Sequence, residues 1–365
     1  MYKWMLRCAL ICAAGAAWGL SAQAEITSIQ GYTFAQAIEY YLGSERDSDS
    51  VYEYYPESSA ELPLQVVARL VSPEALDGDL GEEAAASVGA QLADPTTVTT
   101  PNPEEFAINL ALHSISPHIS YQAQAISRET RGVLYSPGEL SLFSAEGDEA
   151  SLTGRLFLDG ALTIFATQAD LDLTGAYARL RVTVVKRVEG QSDETVFSGQ
   201  VELAGTTGGD VDVNVEGDFP TNRLVLTDLS ITSIIFNTFR VLVLPNITID
   251  YPFTAVVGEE FTLEATVTVE AANLPDKTGV AVILGTPTDT LTQVIDLTLD
   301  TQTASEFVSK LVSEREKPTG ELVYPTAKSW PFLPACGLFG FESALGFLAL
   351  AGFGRVAGRS LYKRK

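Results

Sequence analysis

Between Glu25 and Pro331 this chain has no cysteine: the three in its 365 residues are Cys8, Cys12 and Cys336. That excludes a disulfide scaffold and a thiol nucleophile for the long middle of the protein, which is large enough to build its core without cross-links. Histidine is nearly absent, with only His113 and His118. Five positions apart on a strand, they point to opposite faces, so a joint metal site would need a bend at Pro117. Two ordinary imidazoles are the plainer reading. No Gly-x-Ser-x-Gly elbow and no glycine-rich phosphate loop occurs. The common nucleophile–base pairs are therefore mostly excluded. A glycoside hydrolase needs only two carboxylates, and the sequence singles out no pair among its many acids.

Basic residues are scarce too. The chain has 23 Lys and Arg against 47 Asp and Glu. Removing Lys3 and Arg7, and then the tail with its five basic residues and Glu342, leaves 16 basic and 46 acidic residues, a net of −30. Nucleic acid and anionic lipid are poor partners for such a surface, because no basic stripe holds their phosphates. A self-repelling, soluble surface that attracts divalent cations fits better.

Long helical patterns are the third absence. From Glu105 to about Asp300 the texture is period-two alternation: Leu180, Val182 and Val184; Val211, Val213 and Val215; Leu263, Ala265, Val267 and Val269. Turn signals such as Pro137-Gly138, Asp159-Gly160, Gly208-Gly209-Asp210 and Asp276-Lys277-Thr278-Gly279 separate such runs. A dozen or so short strands predict an all-β fold, an antiparallel β-sandwich compatible with jelly-roll connections. Residues 25–103 read as an acidic region of mixed signals. There Phe34, Ile38 and Tyr41 suggest a short helix over 33–42, Arg46 to Ser50 an exposed loop, and Leu64, Val66, Ala68 and Leu70 a strand. The sandwich domain is expected over 104–300 and a spacer over 301–331, with a short helix from Ala304 to Glu316.

One stretch of the middle looks like a site. On a strand, Asp210, Asp212, Asn214 and Glu216 would share a face and offer oxygen ligands to Ca²⁺. It is no EF-hand loop, since Val215 stands at the sixth position and Thr221 at the twelfth. A solvated polar face is the plainer reading. Asp170 and Asp172 repeat the pattern in shorter form, Asp77-Gly78-Asp79 reads as a turn, and Asn246-Ile247-Thr248 reads as strand despite matching a glycosylation sequon.

The two ends carry the clearest message. Lys3 and Arg7, the apolar run Cys8 to Leu20 and the small-x-small site Ala22-Gln23-Ala24 form an export signal with cleavage after Ala24. At the far end, Phe332 to Gly354 is apolar apart from Glu342, and Arg355, Arg359, Lys363, Arg364 and Lys365 follow. Twenty-three residues at about 1.5 Å each span a hydrocarbon core of about 30 Å. A single C-terminal transmembrane helix over 332–354 with a cytoplasmic tail over 355–365 is expected. Glu342 at mid-depth costs roughly 2.5–3.5 kcal/mol if charged, so it is either a tolerated protonated carboxyl or a feature read by a processing enzyme.

This tail resembles the three-part layout of bacterial C-terminal sorting tags, as in the PEP-CTERM proteins handled by exosortases. It departs from them in lacking Pro-Glu-Pro; Pro334-Ala335-Cys336-Gly337 stands in its place, and other tags of this layout do carry a Cys at the head of the helix. The run Tyr251-Pro252-Phe253 to Leu263 is loosely similar to the late strands of exosortase-associated surface proteins. The resemblance implies an exported, non-enzymatic surface or matrix protein held in the cell envelope, with Cys336, Gly337 and Glu342 as processing positions. It also implies a membrane, a sorting protease and polysaccharide as partners. A carbohydrate-binding module, with Tyr54, Tyr55 or Tyr121 lining a groove, and a two-carboxylate glycan-active enzyme are the alternatives. An ordinary membrane anchor would explain the tail without any tag.

Overall fold

The computed structural model describes residues 24–41, 44–56, 64–71, 85–92, 105–107, 109–115, 120–141, 143–231, 237–274, 278–284, 306, 309–311, 313–314 and 320–322. All of them belong to the first of two units, which divide between Tyr324 and Pro325. Among the described residues no helix is long and apolar enough to cross a membrane. The expected helix at 332–354, with Cys336, Gly337 and Glu342, lies outside them, as do the signal residues 1–23, His118 and Asp77 to Asp79.

The strands in chain order are β1 (Glu25–Tyr41), β2 (Ser44–Tyr55), β3 (Leu64–Val71), β4 (Ala85–Leu92), β5 (Glu105–Ala107), β6 (Asn109–Ile115), β7 (Ser120–Leu134) and β8 (Glu149–Ala166). They continue as β9 (Tyr177–Val188), β10 (Glu194–Gly205), β11 (Val211–Gly217), β12 (Val225–Leu229), β13 (Thr238–Val256), β14 (Phe261–Ala272), β15 (Thr278–Leu284) and β16 (Glu321–Leu322). The seven-stranded sheet runs β11-β10-β9-β14-β7-β1-β2. The nine-stranded sheet runs β16-β12-β13-β8-β15-β6-β4-β3, with the short β5 parallel to β8. All other pairings are antiparallel, and side chains of both sheets share one hydrophobic core. The all-β sandwich expected from alternation is what forms.

Alternation works in the central strands because their inward residues are large and apolar. In β9, Leu180, Val182 and Val184 are fully buried, and in β14 Leu263, Ala265, Val267 and Val269 are too. The inner face of β7 is different: Glu129 and Arg131 pair across 2.5 Å, with the guanidinium 4.5 Å above the Phe106 ring. Burial pushes the Glu129 carboxyl up, partly offset by the charge and hydrogen bond of Arg131.

Four expectations are corrected. In place of the helix expected over 33–42, residues 33–41 are strand, paired with β2 on one side and β7 on the other. The inward positions Thr33, Ala35, Ala37 and Glu39 are small or polar, so the apolar Phe34 and Ile38 face outward and mimic helical spacing. Arg46 to Ser50 is strand as well, the middle of β2. Asp159-Gly160 is no turn but lies inside β8, where a Cβ on Gly160 would sit 2.1 Å from the Ile283 carbonyl oxygen. Nor is residue 103 a structural boundary, since β1 to β4 are built into the same two sheets as the later strands.

Part of the stretch expected to be a spacer is docked, and the expected short helix forms in it. Residues 306, 309–311 and 313–314 are helical, and Leu311 is buried in a second apolar cluster with Phe165, Val225, Phe239, Val241 and Ile283. Those residues belong to strands of the nine-stranded sheet whose other face lines the main core. That explains β15, where every side chain is buried and no alternation is visible. Lys310 donates to the Ser230 carbonyl, and β16 then adds to the edge at β12.

Candidate functional site: the outer face of the seven-stranded sheet

Register places the outward residues of the seven-stranded sheet in rows. One row runs Tyr52, Phe34, Ile126, Thr268, Arg181, Gln200 and Glu216 across β2, β1, β7, β14, β9, β10 and β11. The next is Tyr54, Tyr32, Arg128, Thr266, Thr183 and Ser198. On the other side lies Ser50, Gln36, Gln124, Glu270, Arg179, Glu202 and Asn214.

This face has two regions of distinct chemistry. Over β14, β9, β10 and β11 it is charged, and its charges are tied together. Arg179 bridges Glu202 at 2.6 Å and Glu270 at 2.9 Å, while Arg187 bridges Glu264 at 2.9 Å and Asp193 at 2.8 Å. Both guanidiniums are held above their ordinary pKa. Burial lowers that of Arg179, but the hydrogen bonds and charges of its two glutamates outweigh it. For Arg187 the hydrogen bonds to Glu264 and Asp193 dominate. Glu264 moves down: burial pushes its carboxyl up, yet the hydrogen bond from Arg187, the charges of Arg128 and Arg187 and a hydrogen bond from Thr130 together outweigh it.

Over β2, β1 and β7 the face is aromatic, amide and hydroxyl. Two depressions open there. One, about 250 Å³, is lined by Gln30, Tyr32, Tyr54, Arg128, Thr130 and Glu264. In it the Tyr54 hydroxyl donates to Gln30 at 3.1 Å, and Arg128 lies 5.4 Å above the Tyr32 ring. The other, about 230 Å³, is lined by Gln36, Ile38, Gln122, Gln124, Tyr177 and Glu270. Gln124 donates to Glu270 at 3.4 Å, and burial raises the Tyr177 hydroxyl pKa against the lowering charge of Arg179. Between them stand Phe34, Ile126 and Tyr52, the last 67% exposed.

Of the aromatics expected to line a groove, Tyr54 does. Tyr121 is fully buried on the inner face of β7, and Tyr55 is half-buried at the end of β2. Tyr32, Gln36, Gln122 and Arg128 were missed: a helix expected over 33–42 hides that Gln36 faces out, and only strand pairing brings Gln122 and Arg128 of β7 beside β1. For β1 the signal that could have found its outward face is the small-residue alternation Thr33, Ala35, Ala37.

The acidic run of β11 lies at the far edge of the same face. Asp212, Asn214 and Glu216 do share that face, spaced about 7 Å apart by the strand. Ligands around one Ca²⁺ lie within about 5 Å of each other, so the run cannot converge on an ion by itself. Asn214 instead donates to Glu202 at 3.3 Å, and Asp210 accepts from the Val211 amide at 2.9 Å. Among the described residues no group of three or more His, Cys, Asp or Glu is placed to hold a metal ion. Asp172 makes a local turn by accepting from the Thr174 amide at 3.0 Å. Asn246 lies in β13 at a bulge with φ of 45°. Ala24 is half-buried against the core, one residue before β1 opens at Glu25.

No family model matches the chain, and no curated protein matches it. Among solved structures it is similar to one of the infectious bursal disease virus Gx strain, at 11% identity over 83% of this chain and 76% of that one, with a TM-score of 0.09. It is also similar to the VP2 subviral particle of infectious bursal disease virus, at 12% identity over 80% and 73%, with a TM-score of 0.10. Scores this low carry no argument.

Proposed function

We propose that the chain is an exported, envelope-held surface or matrix protein whose β-sandwich works by binding rather than by catalysis. The observation that supports this reading is where the described strands lie between the two ends of the sequence. The first described strand opens at Glu25, directly after the signal site at Ala24, and the last described strand ends at Leu322, ahead of the apolar run at 332–354. Removing the signal and anchoring or sorting the tail therefore leaves every described strand in place. A transmembrane helix at 332–354, a sorting protease acting near Cys336 and Gly337, and Glu342 as part of the signal it reads complete the proposal.

The test is the intact mass of the protein recovered from native cells, beside Cys336→Ala. A wild-type mass ending near Cys336 and abolished in the variant supports a sorting tag. A mass running from Glu25 through Lys365 in both leaves a plain anchor, and a mass that retains residues 1–24 would remove export from the reading altogether.

Carbohydrate binding is a second reading, favoured by the depression between Tyr54, Tyr32 and Arg128. A two-carboxylate hydrolase is less well supported. Its general acid needs a raised pKa, whereas Glu264, at that depression, is lowered.

A further inference from the structure

We infer that the outer face of β2, β1 and β7 binds an uncharged polysaccharide lying along β1; this rests on the carbohydrate-binding reading. The argument begins with charge. In a body with a net of −30, the outward positions over 30–38, 48–54 and 122–130 carry a single charged side chain, Arg128. Of the acids nearest this patch, two are directed away from it, and two, Glu264 and Glu270, line the depressions but are paired with arginines. Asp49 and Glu53 of β2 face the other sheet, where they accept from the Arg69 amide at 2.7 Å and the Gln65 amide at 3.2 Å. Glu264 and Glu270 are held by Arg187 and Arg179.

What remains outward matches a neutral sugar chain. Tyr52, Tyr54 and Phe34 offer ring faces for the C–H faces of hexoses, and Tyr32, with Arg128 over its ring, adds a hydroxyl. Gln36, Gln122 and Gln124 offer carbonyl acceptors and amide donors for hydroxyls. The two depressions lie on one line along β1, from Gln30–Tyr32 to Gln36–Ile38. Six residues at about 3.4 Å put their centres roughly 20 Å apart, a span that takes several sugar units and favours a polymer over a monosaccharide. A polyanion such as a uronate polymer would meet the repulsion of the whole body.

The test is affinity electrophoresis of the full exported chain in detergent, through gels containing hydroxyethylcellulose, galactomannan or dextran, and in parallel alginate or hyaluronate. At least one neutral polymer should retard the wild type. Truncating Tyr52 and Tyr54 together to Ala should raise its apparent Kd about tenfold or more, as loss of central aromatic contacts does. Phe143→Ala, at a 91% exposed site on the loop after β7, should leave retardation unchanged. Thermal unfolding checks that each variant is folded, and Tyr52→Ser alone, at an exposed position, should give a smaller loss without touching the core. Retardation kept by the folded double variant overturns this face but leaves carbohydrate binding standing. Stronger retardation by alginate than by every neutral polymer overturns the ligand class, and retardation by no polymer sinks both. A dimer that dissociates in the double variant, without any retardation, assigns the face to a second copy of the chain and overturns the inference. None of these outcomes bears on export, which the intact mass decides separately.

Discussion

Leu311→Ala tests whether the segment after the last long strand is docked or free. Leu311 is 1% exposed and sits among Phe165, Phe239, Val241 and Ile283, on the side of the nine-stranded sheet away from the main core. Deleting a buried leucine side chain costs about 2–5 kcal/mol, depending on how far the site collapses. A helix this short has no stability of its own in water, so its docking rests on that contact, the Lys310 bond to Ser230 and the short strand β16. The variant should therefore lose at least about 2 kcal/mol in urea unfolding, a fall in midpoint without a large change in slope. Cleavage by trypsin after Lys310 should accelerate at temperatures well below global unfolding, because the segment detaches first. Ser313→Ala, at an exposed position of the same helix, should do neither. If Leu311→Ala costs less than about 0.5 kcal/mol, in the range of ordinary surface changes, the segment is not docked and acts only as a spacer.

Two further predictions follow from the charges. Glu264→Gln should cost about 1 kcal/mol at pH 7, a figure reduced because its partner Arg187 is partly exposed. The carboxyl's pKa is lowered in the folded state, so its contribution is present above the unfolded value near 4.3 and is lost as pH falls through the lower folded one. The gap between variant and wild type should close in acid, and a gap that persists unchanged at pH 2.5 would refute the assignment. Asp49→Ala with Glu53→Ala should expose the outward amides of the edge strand β3 and produce concentration-dependent association in light scattering, while Asp49→Asn, which keeps an acceptor oxygen, should stay monodisperse. Monodispersity of the double alanine variant would show that the edge needs no such cover.

How much of this was legible in the sequence depends on which residues face inward. In β9 and β14 the inner faces are leucine and valine, so alternation announces both strand and core. In β1 the inner face is Thr33, Ala35, Ala37 and Glu39 and the outer face is aromatic, so hydrophobicity points to the wrong side and even to the wrong element. β15 is buried on both faces, and its pattern reads as a plain apolar run. Gly160 reads as a turn because sequence records only that a side chain is missing, not that the Ile283 carbonyl occupies its place.

The candidate site was hidden for a further reason, which also explains its neutrality. Neighbours along a strand, such as Asp212, Asn214 and Glu216, are conspicuous in sequence but diverge in space. Tyr54, Tyr32, Arg128 and Glu264 come together only through the register of β2, β1, β7 and β14, across 232 positions from Tyr32 to Glu264. The same register decides where a strongly acidic composition shows itself. It sets Glu202, Glu264 and Glu270 beside arginines and turns Asp49 and Glu53 toward the other sheet. Net charge is a property of the whole chain and acts at long range on any polyion, but the groups a ligand touches are set by one face, and on this face few of the acids stand unpaired.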